Sequence, residues 1–574
     1  MGKPITNITI VGGGTAGWIT AGYLNHRVQW GPTAIPGARV TVIESPSVGT
    51  IGVGEATVPT LKQTLKLLQI SEPEFIERTD ATFKLGIWFQ NWNRGSNGDF
   101  IGYLHPFTGG LTVRGHNPGY SFKAYGLPGR NQVTDQDFVR TISIAREAAE
   151  GKKGPRAPNG PHYGGALAYA YHLDAGKLTD FLRDVCMQRG VNHLRDDVVG
   201  TELDDRGYIS SLNLKRNGQW PVELVIDCTG FRGLFINELL EEPFESFSDY
   251  LLNDRAIPIQ ITHKDSTKID SVTTSTALEA GWAWRIPLQS RVGTGYVYSS
   301  KFKSDDEALA ELREHLNGAD ELTEPRVLKM RVGRCRRSWV KNCIAIGLSS
   351  GFLEPLESTA IMSIELQARW LLNSLPTTDF EEPLMAQFNG ASARLYDEIR
   401  DFLGLHFGLN ERDDPYWQAA RDAKKSDTLA SNLDLWNYSL PSPLDSRQRA
   451  VFGHWSIICI LMGKNYYQDP KFVGRDVVAG ELWEAYCRQL DAGRQRILAG
   501  LADHRYLIQW MNRQAVAGTS ATGKGVAAEK LIGDGQLLVS PELVMTPQGA
   551  NFPGIARPRQ APQGRPQMRQ RSAV

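Results

Sequence analysis

Lys84 stands within the largely apolar run 83–89. Alternation along a strand would place Lys84, Gly86 and Trp88 on one face. An unpaired buried ammonium is costly, so we expect this lysine to meet an acid or to face a cavity. As a cation it could donate a hydrogen bond to an oxidant, and as a neutral amine it could act as a nucleophile. Burial and a nearby carboxylate would shift its pKa in opposite directions, and the sequence leaves open which effect is larger.

A glycine-rich turn near the N-terminus follows the apolar, β-branched run 8–11 and precedes a helix pattern. Gly12 permits a tight turn, Gly14 lets the backbone approach a pyrophosphate, and Gly17 lets the helix pack closely on the strand. The helix N-terminus offers free N–H groups and a partial positive charge to the phosphates. The residues expected to contact a dinucleotide here are Gly12, Gly14, Thr15, Ala16 and Gly17.

Glu44 ends a second buried strand pattern, 40–43, and completes a strand–turn–helix–strand unit with the glycine turn. A carboxylate at this position can accept hydrogen bonds from a ribose. The interval from Gly17 to Glu44 exceeds the usual ~20 residues, because a loop bearing Pro and Gly occupies residues 29–37. We therefore expect a dinucleotide site with Glu44 at the ribose.

Further buried strand patterns occur late in the chain, at 224–230 and 343–347. The second runs into a turn of two glycines and a proline that begins with Gly347 and Leu348. Such a late turn suits a bound isoalloxazine and ribityl chain, whereas a nicotinamide enzyme usually has a compact, continuous nucleotide unit. The sequence therefore predicts an α/β flavoprotein with a glutathione-reductase-like FAD-binding fold, Rossmann-type and discontinuous.

The composition along the chain suggests three parts. Residues 1–357 are expected to form the discontinuous FAD-binding lobe, with a β-rich insertion around 245–300. Residues 358–513 have a mainly helical pattern, which we assign to substrate binding. Residues 514–574 are rich first in Ala, Gly, Ser and Thr and then in Arg, Pro and Gln. They hold little to bury, so a disordered tail is expected.

The overall composition excludes several classes of partner. The 63 basic residues balance the 63 acidic ones, which argues against a nucleic-acid binder. The six cysteines form no C-x-x-C pair, so neither a metal site nor a disulfide framework is expected, and a cytoplasmic location fits better. No signal peptide is visible, and no apolar run reaches the roughly 18–20 residues that would cross a bilayer, so no membrane association is expected.

Four motifs in fixed order resemble the flavin-dependent halogenases of the tryptophan-halogenase family. The most specific is WAWRIP at 282–287, which matches the family's W-x-W-x-I-P signature. The others are GVGEATVP at 52–59, FKLG at 83–86 and EPLEST at 354–359. The resemblance extends over about residues 5–515 and implies the reaction described next.

The resemblance implies that reduced FAD (FADH2) and O₂ form a flavin hydroperoxide, and that chloride or bromide attacks it to give hypohalous acid. The acid passes through a tunnel to a lysine, here Lys84, and an electron-rich arene such as an indole is substituted. Glu357 matches the accompanying carboxylate, which can stabilise the cationic intermediate and take its proton. Because it precedes a helix expected over 360–372, Glu357 could instead be a helix-start acid favoured by the dipole.

The resemblance also assigns residues around the cofactor and the halide. Its flavin contacts are Gly54, Glu55, Ala56, Val198, Gly347 and Leu348. Halide is bound by backbone N–H groups at Thr359 and Ala360. Ala360 stands where a Gly is common, so the preference between chloride and bromide stays open. Trp282 and Trp284 match a barrier between flavin and substrate, although they could equally be core aromatics of a strand.

Two aromatic motifs resemble the family's substrate pocket: His105-Pro106-Phe107 and Tyr466-Tyr467. The chain then departs from the family, because residues 468–478 contain no Glu and end in Val477-Val478 instead of an aromatic pair. Binding of the amino-acid ammonium group of free tryptophan is therefore not expected. Bare indole, a substituted indole or a larger indole-containing molecule is preferred.

No second nucleotide domain is visible, so a separate NAD(P)H-dependent flavin reductase is expected to supply FADH2. The chain could also form a homodimer. Two alternatives to a halogenase remain at this point. One is a flavin monooxygenase that hydroxylates an arene, and the other is a non-catalytic carrier with a flavin fold.

Overall fold

The computed structural model describes residues 2–29, 34–49, 54–94, 98–109, 112–113, 115–130, 134–445, 451–468, 471–472 and 476–521. Gly52, Val53, Asp469, Pro470, residues 473–475 and the expected tail from residue 522 onwards lie outside the described residues.

The strands of the described part are short and distributed over five sheets. In chain order they are β1 (Asn7–Val11), β2 (Arg39–Glu44), β3 (Gly54–Ala56), β4 (Thr82–Lys84), β5 (Gly86–Arg94), β6 (Phe100–Pro106), β7 (Ala170–Asp174), β8 (Asn192–Arg195), β9 (Val198–Leu203), β10 (Ile209–Leu214), β11 (Gly218–Pro221), β12 (Leu224–Asp227), β13 (Phe244–Ser246), β14 (Arg255–Ile261), β15 (Thr273–Leu278), β16 (Gly281–Pro287), β17 (Val292–Tyr298), β18 (Leu328–Lys329), β19 (Gly333–Cys335), β20 (Trp339–Val340), β21 (Cys343–Ala345) and β22 (Gly351–Phe352).

Of the α-helices in the described part of the chain, eight lie before residue 317 and seven after residue 359. They are α1 (Thr15–Gln29), α2 (Leu61–Leu67), α3 (Glu72–Arg78), α4 (Pro118–Tyr125), α5 (Asp135–Ile142), α6 (Ala145–Glu150), α7 (Ala175–Gln188), α8 (Asp305–Leu316), α9 (Ala360–Asn373), α10 (Glu382–Gly408), α11 (Pro415–Asp422), α12 (Asp427–Trp436), α13 (His454–Gly463), α14 (Gly480–Gly500) and α15 (His504–Ala521). Short 3-10 helices span Gly230–Arg232, Gly347–Ser349 and Pro355–Glu357, and a π-helix spans Leu234–Leu239.

A six-stranded sheet in the order β20-β21-β12-β1-β2-β8 forms the centre of the N-terminal lobe. The central strand β1 pairs in parallel with both β2 and β12, and β12 pairs in parallel with β21. Ile8 and Ile10 of β1 are fully buried, as expected for a parallel strand covered on both faces. The prediction of a discontinuous Rossmann-type lobe, with strands recurring near 224–230 and 343–347, is confirmed.

The helix α9 packs against α1 of the N-terminal lobe. The expected division between residues 357 and 358 therefore coincides with no break in packing. In the other direction, α4 and α5 pack with α14, and α5 also contacts α13. The mainly helical part that follows residue 358 is therefore completed by helices from 118–142.

The last helix α15 continues to Ala521, so its final eight residues, 514–521, fall where the tail was expected. It packs on α3 of the N-terminal lobe. In the described part of the chain, no helix is both long enough and apolar enough to cross a membrane.

A seven-stranded sheet in the order β18-β14-β17-β16-β15-β5-β6 carries the β-rich insertion. Its strands β14 to β17 come from the expected region, but β5 joins them in parallel through β15. The sheet therefore combines residues 86–106 with residues 255–298.

The run 83–89 is divided between two sheets, so the prediction of one alternating strand is wrong. Lys84 ends β4, which pairs with β7, whereas Gly86 starts β5 in the seven-stranded sheet. Between them the Leu85 N–H donates to the carbonyl of Ser271, at 2.7 Å. Trp88 consequently lies in a different environment from Lys84, under the guanidinium of Arg146.

Gly86 allows the close approach of β5 and β6 where the chain changes sheets. A Cβ on Gly86 would stand 2.5 Å from the carbonyl oxygen of His105 and 2.9 Å from Cα of Pro106. Gly86→Ala should therefore lower the free energy of unfolding by about 1–3 kcal/mol, measured by urea denaturation. Gly500→Ala is the control, because a Cβ there meets nothing within 4 Å. Equal stability of the two variants would contradict this account.

Candidate active site

Lys84 is fully buried at the end of β4. Its Nζ donates to the carbonyl of Thr57 at 3.1 Å and to Oγ of Ser358 at 2.8 Å. The same ammonium lies 5.2 Å from the ring centroid of Phe107. The hydrogen bond to Ser358 connects the N-terminal lobe to the loop that carries Glu357.

Burial is the larger of the two effects on Lys84. It lowers the pKa of this lysine from 10.5 to about 7, although the negative charges of Glu357 and Glu55 act to raise it. The question that the sequence left open is thereby answered. Near neutral pH the group can exist as an ammonium donor or as a neutral amine.

The loop that carries Glu357 is a 3-10 turn over Pro355–Glu357 followed by a residue in the left-handed conformation. Ser358 has φ of +58°, a region that costs a non-glycine residue on the order of 1 kcal/mol or more. The N–H of Ser358 donates to the carbonyl of Pro355 at 3.1 Å and closes the turn. The tight turn holds the Ser358 hydroxyl against Lys84.

Glu357 is buried between two imidazoles. Nδ1 of His105 lies 2.9 Å from Oε2, and Nε2 of His406 lies 2.8 Å from Oε1. Nδ1 of His406 is in turn 2.7 Å from the hydroxyl of Tyr103. The three side chains hold the carboxylate in one orientation.

Burial alone would raise the pKa of Glu357, but His105 and His406 together outweigh it and lower the pKa to about 2. Burial lowers the pKa of His406 to about 4 against the attraction of Glu357. A neutral His406 can receive the hydroxyl hydrogen of Tyr103 at Nδ1, which leaves its one N–H on Nε2, beside the carboxylate. Glu357 is therefore an ionised carboxylate at neutral pH.

The predicted residues around Lys84 and Glu357 are largely brought together. His105 contacts Glu357, Phe107 faces Lys84, and Pro106 pairs with Gly86 across the strands. Tyr103 and His406 were missed. Tyr103 lies two residues before His105 on the same face of β6, which is a usable signal.

Tyr466 and Tyr467 lie farther along the helical part. The hydroxyl of Tyr466 donates to the carbonyl of Leu433 at 2.7 Å, and Tyr467 is buried against Phe472. Two residues before Tyr466, Nζ of the buried Lys464 lies 5.3 Å from the ring centroid of Tyr103.

Trp282 and Trp284 lie on β16 with their rings on one side, 6.3 Å apart in an edge-to-face arrangement. Both are buried in the largest apolar cluster of the described chain, together with Ile87 and Phe89. The expectation that the W-x-W spacing directs both rings the same way is met. Their packing fits a core role, and a barrier role stays a prediction.

The glycine turn has room for a phosphate where it is expected. Gly12 has φ of +117°, and a Cβ on Gly17 would stand 1.9 Å from the carbonyl oxygen of Gly12. A Cβ on Gly14 would meet nothing within 4 Å. The turn is thus tight on its strand side and open at Gly14, where Thr15 and Ala16 begin α1, so a dinucleotide pyrophosphate fits it.

The late turn and the second strand flank the glycine turn. A Cβ on Gly347, whose φ is +80°, would stand 2.8 Å from Cβ of Ala16, so the two turns are in contact; Leu348 follows half-buried. Glu44 ends β2, where its Oε2 lies 2.8 Å from Nε2 of His193.

Val198 begins β9, two residues after Asp196, whose N–H donates to the carbonyl of Glu44. This places Val198 beside the expected ribose end of the dinucleotide site.

Two further predicted segments lie between this turn and Lys84. The strand of Gly54, Glu55 and Ala56 pairs with β7, and it leads directly to the Thr57 carbonyl that accepts from Lys84. Burial raises the pKa of Glu55 to about 7.

Thr359 and Ala360 begin α9 directly after Ser358. The first-turn N–H groups of a helix have no partner within it, so they are available to an anion.

Comparison with known proteins gives a consistent result over most of the chain. A family model described as tryptophan halogenase matches residues 7–474. Tryptophan 6-halogenase SttH from Streptomyces toxytricini is 37% identical over 485 residues, which cover 79% of this chain and 88% of the relative.

Another relative and a solved structure are similar over comparable lengths. The 7-chloro-L-tryptophan 6-halogenase KtzR from Kutzneria sp. (strain 744) is 36% identical over 488 residues, which cover 81% of this chain and 91% of the relative. The crystal structure of a tryptophan halogenase from Shewanella frigidimarina NCIMB 400 has a TM-score of 0.82 and 35% identity. The match covers 89% of this chain and 98% of the Shewanella chain.

The pKa of Lys84 predicts a pH dependence of stability. Because the pKa is about 7 in the folded chain and 10.5 ordinarily, the unfolded chain binds an additional proton between these values. Stability therefore rises with pH in that window. Relative to Lys84→Met, wild type should gain about 1.4 kcal/mol for each pH unit from 7 to 9, measured by urea unfolding. A constant difference from Lys84→Met would contradict it. Lys66→Met, at the surface, is the control.

Proposed function

The chain belongs to the tryptophan halogenase family, and from this premise we propose that Lys84 and Glu357 carry the halogenation of an indole-containing substrate. Family membership confirms the prediction of a flavin-dependent halogenase that uses FADH2, O₂ and halide. It does not support the monooxygenase and carrier alternatives. The observation that carries the proposal is the hydrogen bond between Lys84 and Ser358, because it brings the buried lysine to the residue next to Glu357.

Bound reduced FAD supplies, with O₂, the oxidising equivalent that turns halide into hypohalous acid. We assign its binding to the open glycine turn, the segments that flank it and the strand that leads to Lys84. These residues are Gly12, Gly14, Thr15, Ala16, Gly17, Glu44, Gly54, Glu55, Ala56, Val198, Gly347 and Leu348. We assign the halide to the N–H groups of Thr359 and Ala360.

Lys84 has the geometry to hold hypohalous acid by a hydrogen bond. As an ammonium it has three N–H donors, of which two point to Thr57 and Ser358. The third can donate to the oxygen of hypohalous acid and polarise its bond to the halogen. Because the pKa is about 7, a large share of the enzyme carries this ammonium at neutral pH.

Glu357 is suited to the step in which the arene carries positive charge. Its carboxylate stays ionised at neutral pH and is held rigidly by His105 and His406, so it can stabilise a cationic intermediate without reorganising. The arenium ion is strongly acidic, so even a carboxylate of low pKa can accept its proton. His105 and His406 thus act as positioning residues for Glu357.

The substrate is proposed to lie against His105, Pro106 and Phe107, because Phe107 offers a flat apolar wall beside Lys84. Tyr466 and Tyr467 are assigned to its outer part. The relatives are named for tryptophan or chlorotryptophan. This chain has valines at 477 and 478 and no Glu within residues 468–478, so the indole ring is expected to be recognised in preference to a free amino-acid group.

Trp282 and Trp284 are proposed to separate the flavin from this substrate.

The family uses a small aromatic substrate and a separate flavin reductase, which for this chain we take to be NAD(P)H-dependent. A cytoplasmic location, a homodimer and the division into lobes at residues 357/358 and 513/514 remain predictions.

Lys84→Met should lower halogenation by at least ~100-fold, while oxidation of chemically supplied reduced FAD continues. The reason is that oxidant still forms but is no longer held beside the substrate. Bromoindole is measured by liquid chromatography–mass spectrometry and O₂ uptake by electrode. Lys62→Met, which alters a half-buried lysine stacked on Tyr169, should retain both. Full halogenation by Lys84→Met would refute the assignment.

The altered segment after Tyr467 predicts a substrate order. Indole and a tryptophan-containing peptide should be halogenated with a higher kcat/KM than free L-tryptophan, since residues 468–478 lack the Glu with which the family binds the ammonium. A panel of these substrates with chloride and with bromide, read by product mass and position, measures this. A clear preference for free L-tryptophan would overturn the substrate assignment.

A further inference from the structure

Glu354 is a second buried acid on the loop of Glu357, three residues before it, and it has no role in the function proposed above. Its side chain is 1% exposed. Nδ2 of Asn253 donates to its Oε2, and the indole N–H of Trp282 faces the same carboxyl group. Glu354 therefore lies on the side of the Glu357 loop that faces the tryptophan pair on β16.

The surrounding polar atoms are complementary and otherwise without partners. Within the described chain, Nε1 of Trp282, Oε1 of Glu354, Oδ1 of Asn253 and the hydroxyl of Tyr416 are buried and form no regular hydrogen bond. Tyr416 interacts with both Asn253 and Glu354. Two donors thus stand near two acceptors in a closed apolar environment. Buried polar groups in native proteins are almost always paired, so small shifts of these side chains are expected to pair them.

The carboxyl group is suited to such a place because it is neutral. Burial raises the pKa of Glu354 to about 8, against Asn253 and Trp282, which lower it. A neutral acid can accept from Trp282 and Asn253 without the cost of a buried charge. The other titratable group that faces the acid is Tyr416, and Tyr296 lies behind it. Burial raises the pKa of both tyrosines above their ordinary value.

We propose that Glu354 is a positioning residue that fixes the Trp282 indole to the loop carrying Glu357 and Ser358. The tryptophan wall on β16 and the hydroxyl that holds Lys84 then keep a constant separation. Tyr416 and Asn253 brace the acid from α11 and from the segment before β14. This inference rests on the proposed roles of Lys84 and Trp282, and it assigns Glu354 to coupling oxidant formation to substrate halogenation.

The first test compares Glu354→Gln with Glu354→Leu. Gln keeps a neutral group that can accept from Trp282, whereas Leu leaves the buried indole N–H without a partner. Glu354→Leu should lower the yield of bromoindole per reduced FAD oxidised by about tenfold. Hypobromous acid trapped by monochlorodimedone should rise correspondingly. Glu354→Gln should couple as wild type does at pH 7.

The pH profile separates a positioning role from a general loss of stability. As the pH rises, coupling in every variant should fall near 7, where Lys84 loses its proton. Wild type should show an additional fall near 8, because a charge on Glu354 in this closed apolar environment is costly and favours opening of the loop, and Glu354→Gln should lack that additional fall. Glu365→Gln is the matched control. It alters another buried acid, on α9, which is hydrogen-bonded to Thr60 and Thr64, and it should leave the profile of coupling unchanged.

A readout without substrate or cofactor is the indole N–H resonance of Trp282 in ¹⁵N-tryptophan-labelled enzyme, assigned with Trp282→Phe. It should shift with pH in wild type, with a midpoint near that of Glu354, and stay constant in Glu354→Gln. This measurement remains decisive if Glu354→Leu does not fold. A Trp282 resonance that titrates equally in both proteins, or full coupling in a folded Glu354→Leu, would overturn the inference.

Failure of the proposed function would be seen separately. If Lys84→Met halogenates normally, the assignment of Lys84 falls, whatever the Glu354 variants do. If Lys84→Met loses halogenation while Glu354→Leu couples as wild type does, the function stands and the role of Glu354 is excluded.

Discussion

Burial of the Lys84 ammonium is the constraint on which the arrangement of the site depends. A lysine in a closed, apolar environment needs acceptors, and it finds them in the Thr57 carbonyl and the Ser358 hydroxyl. The second acceptor is 274 residues away in the chain. To present it, the loop after residue 354 turns tightly, and Ser358 adopts the left-handed conformation. Part of the strain at Ser358 is therefore compensated by the hydrogen bond to Lys84.

The same closed environment lowers the pKa of both principal groups, but for different reasons. Lys84 has only neutral hydrogen-bond partners, so burial dominates and brings its pKa to about 7. Glu357 has two imidazoles, which overcome burial and bring its pKa to about 2. The two environments thereby give neighbouring groups distinct charge states at one pH. Here they allow a donor that can change its protonation state to lie near a permanently charged carboxylate.

Some of this arrangement could be predicted from the sequence, because it depends on neighbours in the chain. The parallel strands follow from short apolar runs, the dinucleotide turn from glycine spacing, and the start of α9 from its local pattern. The break after Lys84 could not be predicted, since the hydrogen bond that makes it comes from Ser271. His406 is a lone histidine in a long helix, and only the packing of α10 against β6 brings it to Glu357. Glu354 is the first residue of the EPLEST motif at 354–359, but nothing in that motif indicates that it faces Trp282 on β16.

The geometry also explains how chemistry and substrate choice can be separated within one chain. Lys84, Glu357 and the tryptophan pair lie on strands or loops of the N-terminal lobe and its inserted sheet, and Ser358 follows Glu357 directly. The helical part contributes His406, through which it influences the charge of Glu357. The segment after Tyr467 contacts α4 instead, where Phe472 packs edge-to-face on Tyr120 and the N–H of Val478 donates to Oγ of Ser121. Substitutions there can therefore alter the substrate that is held while the pKa values of Lys84 and Glu357 stay the same.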